Sequence, residues 1–114
     1  MTKIRMDWQT MALTAEGHAG GGMPHGENII CAGISSITQA LLNYLMEEEA
    51  VGHVELKWHM NEKNGTLRIR AKPEAGHFRT TKACYRMAMS GLEAIRENYP
   101  QNIEIEEVGK IGNA

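Results

Sequence analysis

The sequence predicts an α+β fold: a two-layer sandwich with a mostly antiparallel sheet and two helices on one face, in the order ββαββα(β). Three observations carry this expectation. Apolar residues alternate with charged ones in short runs that come in pairs, the period of half-buried strands. Two longer stretches repeat apolar residues every three or four positions, the period of an amphipathic helix. The 114 residues suit a single domain with one core, so residues 1–114 are expected to form one unit, with a frayed tail from about residue 109.

Residues 3–8 alternate strictly, with Ile4, Met6 and Trp8 on one side and Lys3, Arg5 and Asp7 on the other. Gln9-Thr10 suits a turn, and residues 11–16 give a second, weaker strand that leads into Gly17-His18. Residues 19–27 hold Gly20, Gly21, Gly22 and Gly26 around Met23, Pro24 and His25, a composition that excludes regular structure. A loop so costly to order belongs where motion or close approach is useful.

A helix is expected next. Ile30, Ile34, Ile37, Leu41 and Leu45 form one stripe, Asn28 is a candidate N-cap, and the pattern runs to about Met46. Glu47-Glu48-Glu49 opposes the dipole there and reads as a solvated end, with Gly52 as the exit. Residues 54–60 and 66–71 alternate around Asn64-Gly65, a hairpin signal. Thr80 or Thr81 can cap a second helix over 81–98, with Cys84, Met87, Ala88, Gly91, Leu92 and Ile95 as its apolar face. Tyr99-Pro100 ends it, and Ile103 and Ile105 mark a short final strand.

Composition narrows the function. The net charge of −2 and the absence of a basic cluster in sequence give no expectation of a nucleic-acid partner. No apolar run of about 18 residues suggests a membrane partner. The first residues lack the apolar centre of a signal peptide, so a cytoplasmic location is expected, with Cys31 and Cys84 unpaired. The eight methionines suit adaptable core packing.

The chemistry concentrates between Gly17 and Ser36. A cysteine in the first turn of a helix meets unpaired amides and the positive dipole end, which favour thiolate. The same amides could hold an oxyanion. With helix entry at Asn28, Cys31 would occupy that turn as nucleophile, and His18 could reach it as base across the glycine loop. His25 is a second candidate base, ranked below His18. Other readings stay open: Cys31 as a small core residue, His18 as a residue that merely ends a strand, or zinc held by His18, His25 and Cys31. Four ligands and a close Cys-x-x-Cys pair are missing for a structural zinc site, so no metal or cofactor is expected. Cys84 reads as packing, and His53, His59 and His77 as solvated.

These residues also carry a resemblance. Gly17-His18-Ala19, a short glycine-rich loop, and Gly26-x-Asn28-Ile29-Ile30-Cys31-Ala32-Gly33-Ile34-Ser35 resemble the signature of the ribosomal-processing cysteine proteases, Prp. Gly91, Leu92 and Ile95, then Tyr99-Pro100 and Asn102-Ile103, extend it. The resemblance implies a Cys31–His18 dyad, a supporting Ser35, and a loop that orders over substrate. It also implies a homodimer that removes an N-terminal extension from the twenty-seventh protein of the large ribosomal subunit. Phage relatives point instead to a virion protein as precursor. Asn28 departs from the family's aspartate: it can orient an imidazole but not neutralise an imidazolium. From the residues alone, a non-catalytic peptide-binding α+β module is the competing class.

Overall fold

The computed structural model describes residues 1–17 and 25–109. In chain order the elements are β1 (Thr2–Asp7), β2 (Ala12–Glu16), α1 (His25–Ala50), β3 (Val54–Asn61), β4 (Thr66–Pro73), α2 (Phe78–Asn98) and β5 (Ile103–Val108). This is the expected order. The five strands form one sheet, β3-β4-β2-β1-β5. Its pairs are antiparallel except β1–β5, which is parallel, with Ile4 opposite Ile105.

Alternation along the strands sorts the two faces. Ile4 and Met6, Leu13 and Ala15, Val54 and Leu56, Leu67 and Ile69, and Ile103 point into one core. Both helices cover that face, and Ile34, Leu41, Leu42, Leu45, Tyr85, Met89 and Leu92 complete the core. The opposite face carries Lys3, Arg5, Lys57, His59, Arg68 and Arg70, as the alternation requires.

The helices run antiparallel and close together. A Cβ at Gly33 would lie 3.5 Å from Ile95 Cδ1, and one at Gly91 only 2.9 Å from Ile37 Cδ1. Small residues at this seam let the backbones approach. Over Ile29–Ala50, α1 is long and apolar enough to cross a bilayer by length and composition alone. That differs from the expectation of no such run. Its stripe is nevertheless committed to the core, and Thr38, fully buried, donates its hydroxyl back to Ile34 O at 3.1 Å.

The C-terminal end of α1 departs from the solvated end expected of Glu47-Glu48-Glu49. The helix continues to Ala50, and two of these carboxylates have partners. Glu48 is buried and lies 2.9 Å from His53 Nδ1. Glu49 Oε2 accepts the Leu56 amide at 2.8 Å. These bonds fix where β3 starts and offset the unfavourable dipole placement. Gly52 is the exit as expected, at φ +79, with Gly52 N bonded to Glu49 O and His53 N to Glu48 O. His53 stacks on His77, with ring centroids 3.9 Å apart, so these two rings hold the start of α2 against the end of α1 rather than standing free in solvent.

α2 begins earlier than the threonines suggested. His77 is its N-cap, and no side chain caps it. Thr81 lies inside the first turns, buried, and donates to His77 O at 3.0 Å. Its inward face is Thr81, Tyr85, Ala88, Met89 and Leu92. Met87, expected inside, is 80% exposed. Ala88 and Leu92 face inward as expected and Cys84 and Ile95 pack at the edge of the core, while Tyr85 supplies the apolar bulk that Met87 does not.

Tyr85 is also the one buried side chain whose polar atom has no hydrogen-bond partner among the described residues. Desolvation pushes the pKa of its hydroxyl well up. An unsatisfied buried hydroxyl costs about 1–3 kcal/mol. Tyr85→Phe should therefore keep or raise the urea midpoint of unfolding. A loss of stability above about 1 kcal/mol would mean the hydroxyl is bonded in solution.

Candidate active site

The expected site lies where β2 ends and α1 begins. Gly17 closes β2 with φ +88, donating its amide to Gly65 O at 3.2 Å. A Cβ there would sit 2.7 Å from Met1 O, a backbone atom that cannot swing away. Glycine is therefore required both by the left-handed backbone and by the close approach. The same end of the molecule gathers the start of β1, bonded through Thr2 N to Asn102 O at 2.9 Å, and the end of α2 at Tyr99. Since Gly33 faces Ile95 near that end of α2, the head of α1 is brought to this end as well.

Cys31 lies on α1 and is half-buried. It is the seventh residue of the helix, because α1 starts at His25 rather than after Asn28. Asn28 is thus a helical residue and not the N-cap. The free amides of a helix belong to its first four residues, here about 25–28, one turn before the thiol. Cys31 therefore stands in the second turn, and its own amide is committed to the helix. The dipole still favours a thiolate there, more weakly than in the first turn. Oxyanion donors, if α1 supplies them, come from the preceding turn.

Helical spacing places Cys31 and Ser35 on one face, four residues apart. The structure thus brings together two of the residues singled out in the sequence. His18, Gly20, Gly21, Gly22, Met23 and Pro24 lie outside the described residues. His25 and Gly26, expected in the loop, open the helix instead. The zinc alternative also rests on His18 and lies outside the described residues. Among the described residues no group of three His, Cys, Asp or Glu side chains could hold a metal ion.

The second thiol has a different environment. Cys84 packs against the core from α2. Burial pushes its pKa up, and the Glu48 carboxylate adds to the rise. Glu48 raises the pKa of Tyr44 too. This group is not visible as a sequence motif, because its members are divided between α1 and α2, some forty residues apart. A groove of about 450 Å³ runs along α2 past Trp8, Phe78 and Met89 and does not include Cys31.

A half-exposed thiol near the head of a long helix, on an α+β sandwich, is the framework of a small thiol hydrolase. The comparisons are more specific. The family model for cysteine protease Prp matches residues 1–104, and the chain belongs to that family. It is accordingly a cysteine protease.

Solved structures share its fold. The Staphylococcus aureus essential ribosomal processing protease Prp, in complex with a substrate peptide, superposes with TM-score 0.75 at 17% identity, covering 94% of this chain and 99% of that one. The same S. aureus protease with a covalently linked product peptide gives 0.73 at 18%, covering 94% and 99%. SMU.848 from Streptococcus mutans gives 0.70 at 18%, covering 93% and 90%. No curated protein matches the sequence.

The two cysteines should separate by reactivity. With its pKa raised, Cys84 stays a thiol at neutral pH and becomes reactive only as the pH climbs past its ordinary range. Brief alkylation of the folded protein at pH 7 should mark Cys31 alone, read by peptide mass mapping. Equal labelling of Cys84 would contradict its placement. Gly17→Ala should cost about 1–3 kcal/mol, since the added Cβ is both strained and blocked. Thermal unfolding checks this, and an unchanged midpoint would contradict the backbone described at the end of β2.

Proposed function

We propose that this protease removes an N-terminal extension from a ribosomal protein precursor, with Cys31 as nucleophile and His18 as general acid and base. The observation that carries the reading is the family match, which spans both residues. The S. aureus relative, described as a ribosomal processing protease and solved with a substrate peptide, supports the substrate class. By resemblance, the precursor is the twenty-seventh protein of the large subunit. A virion protein is the second candidate, resting on the phage relatives of the family.

The chemistry follows from the residues. The Cys31 thiolate attacks the scissile carbonyl carbon, forming a C–S bond as the carbonyl electrons move to oxygen. The tetrahedral intermediate collapses, the C–N bond breaks, and His18 delivers a proton to the leaving amine. Water, deprotonated by His18, then attacks the thioester carbonyl. The acid product leaves and the thiolate returns. A covalently linked product peptide in the S. aureus relative is consistent with a thioester route.

Ser35 supports the thiolate from one turn further along α1, and Asn28 orients the His18 ring. Residues Gly20, Gly21, Gly22, Met23, Pro24, His25 and Gly26 gate substrate entry. The working form in this reading is a homodimer in the cytoplasm, acting without a cofactor. Exposed Phe78, Met87 and Tyr99 are apolar surface that a partner copy could cover.

Purified protein should cleave one of the two precursors, seen as a single N-terminal truncation by mass spectrometry. Cys31→Ala should abolish cleavage while retaining the wild-type melting curve, and His18→Ala should lower turnover by about 10²–10⁴-fold. Cleavage undiminished in Cys31→Ala would remove that residue from the mechanism. Ser35→Ala should lower turnover by a smaller factor. Cleavage of neither precursor by the folded wild-type protein would overturn both proposed substrates.

A further inference from the structure

We propose that the helix-free face of the sheet is a docking surface for RNA, centred on Lys57, Arg68 and Arg70 with His59 beside them. No basic cluster is visible along the chain, because these residues are spread over fourteen positions on two strands. Register gathers them: Lys57 is opposite Arg70, and His59 is opposite Arg68. On the other side of β4, Arg70 faces Ala12 and Arg68 faces Thr14.

This pairing shapes the surface. The small side chains of Ala12 and Thr14 leave a concavity of about 320 Å³ beside the long basic ones. Among the described residues Lys57, Arg68 and Arg70 form no ion pair; the three pairs present are Arg5–Glu106, His53–Glu48 and Arg96–Glu93. The acids on the strands beside the cluster each stand across from a cation in the sheet, Glu55 opposite Lys72 and Glu16 opposite Lys3. Glu104 and Glu106 are on β5, three strands from β4. That is about 14 Å at the usual strand spacing, beyond the ~8 Å screening length of physiological salt.

A segregated cation cluster over a shallow hollow matches a chain of phosphates, and two arginines with an imidazole can also stack on unpaired bases. The choice of RNA over other polyanions rests on the ribosomal reading above, since the substrate class proposed there is a protein destined for an RNA assembly. The face is opposite the helix layer, so RNA held there leaves Cys31 accessible. Its role would be to hold the protease beside its precursor.

Fluorescence anisotropy with a labelled 20-nucleotide RNA tests this. Three phosphate contacts give a salt slope of about −2, hence a loss of affinity of roughly twenty-fold between 50 and 200 mM salt. Lys57→Glu/Arg68→Glu/Arg70→Glu should lose at least tenfold in affinity yet cleave a short precursor peptide at the wild-type rate. Arg68→Ala/Arg70→Ala is the milder variant should charge reversal prevent folding. Cys31→Ala should bind RNA like wild type, so a failed protease reading and a failed RNA reading are told apart. The proposal is overturned if wild type does not bind at 50 mM salt, or if the folded variants bind unchanged. Equal affinity for phosphatidylserine vesicles would overturn it too, as would a dimer that the charge reversal dissociates, since the face would then be membrane-directed or buried between copies.

Discussion

The close seam between α1 and α2 is the contact on which the rest depends. Gly91 admits the Ile37 side chain and Gly33 admits Ile95, so the helices approach near enough to cover the sheet as a single layer. That layer buries Leu45, Ile34 and Leu92 completely. It also decides where the thiol stands. Cys31 is only two residues from Gly33, so the packing that stabilises the fold also sets the position of the nucleophile. A small domain has few such contacts to spare.

The far end of α1 is held by polar bonds rather than by apolar packing. Glu48 to His53, Glu49 to the Leu56 amide, and the His53–His77 stack tie the helix exit to β3 and α2. A 26-residue helix spans about 39 Å. Anchored at one end by this network and along its middle by the glycine seam, it carries Cys31 as part of a stiff element. Catalytic side chains gain precision when they stand on such elements rather than on loops.

Much of this was legible in the sequence, for identifiable reasons. The β3–β4 hairpin was clear because strict alternation and Asn64-Gly65 agree, and Gly65 does take φ +64. The stripe of α1 was clear because one face of it is buried along most of its length. The entry to that helix was not. Asn28 is a good cap by chemistry, but the chain turns helical at His25, inside what looked like a glycine loop. Cap preference is worth about 1 kcal/mol and yields easily to tertiary context. Glu47 to Glu49 misled for a related reason: their partners, His53 and Leu56, only come near once the chain has turned at Gly52. The Cys31–Ser35 face was legible from spacing alone, whereas the basic face of the sheet needed the register. For His18 and the loop residues up to Pro24, the sequence signature remains the only guide.

The parallel pairing of β1 with β5 ties the first strand of the chain to the last, Thr2 opposite Ile103. Closing so long a loop is entropically demanding and comes late compared with local hairpins. During synthesis the β3–β4 hairpin can form as soon as it emerges, but β1 waits for roughly a hundred further residues before its second neighbour exists. The sheet edge that β5 forms against α2 is therefore completed only when nearly all of these residues are free. A protease built this way is assembled last at the end that holds its thiol, so a nascent or truncated chain carries the nucleophile without the framework that positions it.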